Sequence, residues 1–123
     1  MTLPRSSCDD HLAPLADFID FGHLARYTMG EPALTEELLG TFCAQVADFT
    51  VLAAECRDDA KLRRAVHTLK GAARAIGAFP LAQRLAEAER ALDEGRAPDM
   101  AALMAQVEAM RGACRRWREL VVA

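Results

Sequence analysis

The sequence predicts an all-α domain: an antiparallel up-and-down four-helix bundle with a short additional helix at its N-terminal end. Three observations carry this. Hydrophobic residues make up 52% of the chain but aromatic residues only 6%; the balance is Ala and Leu, which lose little side-chain entropy in a helix. Apolar residues recur at alternating spacings of three and four along four long segments, the signature of one helical face. No run of alternating β-branched residues is long enough to form a strand. At 123 residues the chain fits one domain with one core, and its apolar content excludes a disordered chain.

Residues 1–17 carry Pro4, Pro14 and several polar groups and read as an arm, loose or forming a short turn of helix against the bundle; residues 18–123 read as the bundle domain. Asp20 can cap a short first helix that runs to about Met29, and Gly30 can stop it. Glu31-Pro32 opens the second helix, with the proline tolerated in its first turn. The expected face of that helix is Leu38, Phe42, Gln45, Phe49, Leu52 and Cys56, ending near Arg57. Asp58 or Asp59 can cap the third helix, whose stripe is Leu62, Val66, Leu69, Ala73 and Ile76, with Gly77 as its stop. The fourth starts near Pro80 and carries Leu81, Leu85, Ala88 and Leu92 until Gly95 and Pro98 break it. Asp99 caps the fifth, whose face is Leu103, Val107, Met110, Cys114, Trp117 and Val121. Four long amphipathic helices joined by short links give the bundle.

Several function classes are excluded early. The net charge of −3 argues against a nucleic-acid binder. The cations are local instead: Lys61, Arg63, Arg64, Lys70 and Arg74 crowd one segment, which suits one acidic partner surface or a phosphate. Cys8, Cys43, Cys56 and Cys114 lack the short spacing of zinc or redox pairs. The last three fall on or beside apolar stripes and read as small buried hydrophobes in a reducing compartment. No secretory leader is expected at the start. No apolar run is expected to approach the roughly 18 residues needed to span a membrane. The reading is a cytoplasmic protein, monomeric because no long apolar face lacks a match.

The segment that carries chemistry is His67-Thr68-Leu69-Lys70-Gly71-Ala72-Ala73-Arg74-Ala75-Ile76-Gly77. With the apolar stripe centred at zero on a helical wheel, Lys70 falls at about 80°, Arg63 at about 100°, Arg74 at about 120°, His67 at about 140° and Gly71 at about 180°. His67 therefore faces solvent in mid-helix, among three cations and a glycine. A glycine inside a helix costs about 1 kcal/mol relative to Ala. Like charges at these spacings cost a further 0.2–0.5 kcal/mol or so per pair. A phosphoryl-accepting site explains both costs. Gly71 leaves room for another protein to approach the imidazole. Lys70 can neutralise phosphate oxygens. A neutral imidazole is a nucleophile near pH 7 without a dedicated base.

At these residues the chain resembles a known family. HTLKGAARAIGA is similar to the H-x-L-K-G-x-x-x-x-x-G signature of histidine-containing phosphotransfer (HPt) domains, and the similarity runs from about Phe18 to Leu120. It includes Ile19-Asp20, Phe42 and a Leu-rich fourth helix with Glu89. The resemblance implies an exposed phosphoaccepting histidine, His67, in a four-helix bundle. It implies response-regulator receiver domains and a sensor histidine kinase as partners. It implies a phosphocarrier rather than an enzyme, with no cofactor of its own and Mg²⁺ supplied by the receiver. No glycine-rich nucleotide loop contradicts this.

Other residues keep two readings. In some members of the family an acidic or amide residue lies at the separation of Glu89 from His67. Such a carboxylate could accept the Nδ1 hydrogen bond and leave Nε2 free; otherwise Glu89 is a plain exposed glutamate beside Glu87 and Arg90. Arg63, Arg64 and Arg74 either contact an acidic receiver surface or are solvated. Gly77 reads as a helix stop, and His11 and His23 as incidental. The alternatives to a relay are a phosphoacceptor substrate of a kinase, mildly favoured by Glu89, and a bundle that binds a partner without being phosphorylated.

Overall fold

The computed structural model describes residues 12–122. A 3-10 turn, Ala13–Leu15, precedes five helices: α1 (Phe21–Thr28), α2 (Pro32–Glu55), α3 (Asp59–Ile76), α4 (Phe79–Asp93) and α5 (Met100–Val122). The chain is all-α, and no strand occurs among the described residues. Helices α2 to α5 form the bundle. Each packs on its neighbours in the order α2, α3, α4, α5 and back to α2, so α3 and α5 stand diagonally. The short α1 lies across α2 and α3 at the end where α3 terminates.

Local chemistry sets the boundaries. Asp58 caps α3, its carboxylate accepting from the backbone N–H of Ala60 at 2.9 Å and of Lys61 at 3.4 Å. Asp20 does the same for α1 through His23 at 3.1 Å, and Asp99 for α5 through Ala102 at 3.0 Å. Prolines occupy the first turns of α2 and α4, where a missing N–H costs nothing. At the end of α3, Gly77 takes φ +91° and the N–H of Ala78 donates to the carbonyl of Ala73 at 2.8 Å. The Gly77 carbonyl then accepts from the backbone N–H of Asp20 at 2.9 Å, so one glycine both stops α3 and seats the start of α1.

The core is built from the faces expected of α3, α4 and α5: Val66, Leu69, Ala73 and Ile76; Leu81, Leu85 and Ala88; Leu103, Val107, Met110, Cys114 and Trp117. Leu62, Leu92 and Val121 are half-buried at the margins. The α2 face departs from expectation. Its buried residues are Leu39, Phe42, Cys43, Val46 and Phe49, whereas Leu38, Gln45 and Leu52 are exposed. Phe42 and Phe49 are buried as expected, but the row one residue on, Leu39–Val46, satisfies the same spacing and is covered in place of Leu38, Gln45 and Leu52.

The cysteines also require a correction. Cys43 and Cys114 are buried as expected, but they form a disulfide between α2 and α5 across a Cα–Cα distance of 5.7 Å. They lie 71 positions apart in sequence, so no local spacing announces the pair. Cys56 is free and half-buried; Cys8 lies outside the described residues. A further correction concerns α2, a 24-residue helix with an 18-residue stretch of mean hydropathy 1.3, which is by length and composition enough to cross a membrane. It packs into the bundle along one face and bears Glu36, Glu37, Asp48 and Glu55, which makes it a core helix. Of the stretch 1–17, residues 13–15 form the turn against α5, with Leu15 fully buried; residues 1–11, including His11, lie outside the described residues.

Candidate functional site

The site is built where α3 and α4 lie antiparallel. Val66 and Leu69 are buried on α3, and this fixes the rotation of the helix so that His67 points outward, its side chain 67% exposed. On α4, Leu85 and Ala88 are buried and place Glu89 at the edge of the core, its side chain only 11% exposed. The two meet: His67 Nδ1 lies 2.6 Å from Glu89 Oε2. Lys70, one turn on from His67, donates from Nζ to the other carboxylate oxygen, Oε1, and is itself only 15% exposed.

The electrostatics follow from these contacts. The hydrogen bond from Lys70 lowers the Glu89 pKa below its ordinary value of 4.5, the bond from His67 adds to this, and burial opposes both without overcoming them. Glu89 is therefore a carboxylate at neutral pH and can only accept. The proton of a neutral His67 ring accordingly sits on Nδ1, which donates to Glu89, and the lone pair is on Nε2. This is the tautomer that a nucleophile directed at solvent requires. Glu89 is thus not a plain exposed glutamate: its side chain is 11% exposed and accepts from both His67 and Lys70.

The remaining residues of the basic segment are distributed differently. A Cβ at Gly71 would meet nothing within 4 Å, so the strip beside His67 is open. Lys70 is engaged by Glu89 rather than standing free for phosphate. Arg63 pairs through Nε with Asp93. One turn back along α3 and one turn on along α4, this pair is the next rung of the same antiparallel ladder. Asp93 was not singled out in the sequence; the signal was the four-residue spacing of Glu89 and Asp93 matching that of Arg63 and His67. Arg64 lines an open groove of about 1150 Å³ between α2 and α3, together with Phe49, Leu52, Ala65 and Thr68. Arg74 is exposed and has no ion pair among the described residues. No group of His, Cys, Asp and Glu among the described residues is arranged to hold a metal ion.

Gly77 and His23 serve the fold. A Cβ on Gly77 would lie 2.8 Å from the Asp20 carbonyl oxygen. His23 is 3.2 Å through Nε2 from the carbonyl of Ala75 and packs edge-to-face against Tyr27 and Phe79. Reading it as incidental overlooked this bridge between α1 and α3, which no local motif marks.

Residues 33–119 match the family model described as Hpt domain. The chain belongs to the Hpt domain family. The match spans α2, α3 and α4 and nearly all of α5, and His67 is the one histidine of the chain that falls within it. Hpt domains are helical bundles that carry phosphoryl groups in histidine phosphotransfer, and they are carriers rather than kinases. No curated protein and no solved structure matches the chain.

Proposed function

We propose that this Hpt domain relays a phosphoryl group on His67 between aspartates of response-regulator receiver domains. The observation that carries the reading is the His67–Glu89 hydrogen bond of 2.6 Å, which leaves Nε2 of an exposed ring as the nucleophile. In the transfer, the Nε2 lone pair attacks the phosphorus of an aspartyl phosphate in line. The N–P bond forms, the P–O bond breaks, and the carboxylate leaves with its electron pair. Such a transition state needs positioning and charge neutralisation more than covalent help. Mg²⁺ would be supplied by the receiver, so the chain needs no cofactor of its own.

The open strip at Gly71 gives a receiver loop clearance to reach His67. The groove between α2 and α3 borders Thr68, next to the acceptor, and its exposed Leu52 and Val51 offer apolar contact. Arg64 and Arg74 are placed to meet an acidic partner surface; Arg63 contributes there only with Asp93 bound to it. Lys70 acts through Glu89, holding the carboxylate ionised and in place. The domain division at residue 18 and a monomeric state complete this reading; the cytoplasmic location rests on the resemblance alone, since the Cys43–Cys114 bond removes the reduced-cysteine argument for it.

The Glu89 hydrogen bond also favours a second reading, in which the domain is the direct substrate of a histidine kinase. Incubation with a kinase and ATP in the absence of any receiver separates the two. In either case phosphorylation is confined to His67, acid-labile and base-stable. The His67→Gln variant should fold, since the side chain is exposed and its amide can still donate to Glu89, and should take up no label. Labelling that persists in His67→Gln, or unchanged signalling by that variant, rejects the assignment in favour of a bundle that only binds its partner.

A further inference from the structure

Resting on the reading of His67 as the acceptor, we propose that Glu89 keeps the phosphorylated ring protonated, which makes this domain a labile, fast-discharging phosphoryl donor rather than a phosphate store. The argument starts from proton balance. A ring protonated on Nδ1 that forms an N–P bond through Nε2 loses no proton, so the product ring is a cation carrying Nδ1–H and the Nε2 phosphoryl group. When a receiver aspartate or water then attacks phosphorus, the N–P bond breaks and its electron pair returns to Nε2. A protonated ring leaves as neutral imidazole. A ring that has lost its Nδ1 proton would have to leave as imidazolate, a far poorer leaving group. The proton on Nδ1 therefore sets how readily the phosphoryl group departs.

The structure places one charge against that proton. Glu89 Oε2 lies 2.6 Å from Nδ1, on a carboxylate withdrawn from water. The other charged groups on the helices packed here are Arg63, Arg64, Lys70 and Arg74 on α3 and Asp93 on α4, with Asp48, Glu55, Arg57, Asp58 and Lys61 farther along the groove that reaches Thr68. Arg63 is neutralised by Asp93 and Lys70 by the second oxygen of Glu89. Arg64 and Arg74 are exposed, so their repulsion of a ring cation is weakened by water and salt. The Glu89 carboxylate in direct contact dominates and favours the protonated ring. Lys70 supports it indirectly: by holding Oε1 it prevents the carboxylate from taking up a proton or turning away.

The test labels wild-type protein and Glu89→Gln with phosphoramidate, whose P–N bond breaks with loss of ammonia, and follows phosphohistidine lifetime against pH. Glutamine matches glutamate in size and removes the charge, but its one acceptor oxygen serves either Nδ1–H or Lys70 Nζ, so the variant is read together with the measurement on wild-type protein below. The lability profile of Glu89→Gln is expected to move to lower pH by about one unit. That corresponds to a roughly tenfold longer-lived phosphohistidine on the falling limb. Discharge to a receiver should slow in the same pH range. Superimposable profiles overturn the proposal. Nitrogen-15 NMR of phosphorylated wild-type protein supplies a measurement that needs no variant. Nδ1 should keep its proton to higher pH than in a phosphorylated peptide of residues 61–74, and equal titrations also overturn the proposal. Failure of the acceptor reading looks different: no label on wild-type protein, or label that survives in His67→Gln.

Discussion

At the scale of single residues, the site depends on a carboxylate whose charge burial disfavours. Glu89 is nearly enclosed, and desolvation disfavours its charged form; the hydrogen bonds from Lys70 and His67 outweigh that and depress its pKa below 4.5. A carboxyl group whose pKa is lower in the folded than in the unfolded chain stabilises the fold above its unfolded value, and this contribution is lost as pH falls through the folded value. Glu89 should therefore add stability at neutral pH that begins to fade below about 4.5. Chemical denaturation of wild-type protein and Glu89→Gln across pH 3–7 checks this: the acid limb of the wild type should be the steeper. Parallel limbs would mean that the Glu89 pKa is the same in the folded and the unfolded chain. His67, Lys70 and Gly71 were legible in the sequence because they share one helix and a wheel places them together. Glu89 was legible only as a position on the next helix, because its role depends on the α3–α4 register. Its partnership with Lys70, and the loss of Lys70 as a free phosphate ligand, could not be read without that register.

At the scale of helices, two glycines of one motif have opposite duties. Gly71 is in a regular turn of α3 with open space where a Cβ would stand, whereas Gly77 has φ +91° and touches the start of α1. Gly71→Ala should stabilise the isolated fold by up to about 1 kcal/mol, and Gly71→Gln should also fold. The longer side chain should block receiver phosphotransfer while small phosphodonors still label His67. Gly77→Ala forces an L residue into left-handed backbone, at about 1–2 kcal/mol, and drives its Cβ against the Asp20 carbonyl. It should lower the melting temperature and loosen α1 without blocking access to His67. Melting curves together with separate assays for small-donor labelling and receiver transfer distinguish the two. Normal receiver transfer by Gly71→Gln removes its docking role, and a stability gain in Gly77→Ala removes the steric argument. Helix boundaries were legible for the same local reason: Asp20, Asp58, Asp99, Pro32, Pro80 and Gly77 each act on backbone groups nearby. The buried face of α2 was not. Leu38–Gln45–Leu52 and Leu39–Val46 are both helical rows, and only the positions of α3 and α5 decide which one is covered.

At the scale of the whole molecule, the bundle divides its work between two opposite seams. The proposed phosphoryl site lies where α3 meets α4, whereas the Cys43–Cys114 disulfide joins α2 to α5. The ring of contacts places these seams on different sides of the core, with each helix of one touching a helix of the other. A bond that closes a loop over a separation of 71 residues restricts the unfolded chain far more than the folded one. By the chain-entropy account a loop of this length is worth about 4.4 kcal/mol, and disulfides typically deliver about 2–4 kcal/mol. The two cysteines belong to the same buried core as Val46 and Phe49 on α2 and Met110 and Trp117 on α5. Reduction should therefore lower stability without rearranging the α3–α4 seam. Mass measurement of the unfolded chain under non-reducing and reducing conditions should show that one disulfide is present. The double variant Cys43→Ala/Cys114→Ala should then unfold at lower denaturant than the oxidised wild type by an amount in that range. It should still label His67 with the wild-type pH profile, because Glu89, Lys70 and Gly71 are anchored by Val66, Leu69, Leu85 and Ala88 rather than by the α2–α5 bond. Equal stability of oxidised and reduced protein would make the cysteines ordinary core residues. Loss of labelling in a variant that remains folded would show instead that the two seams are mechanically coupled, with the packing of α2 on α5 transmitted through the core to the register of α3 on α4.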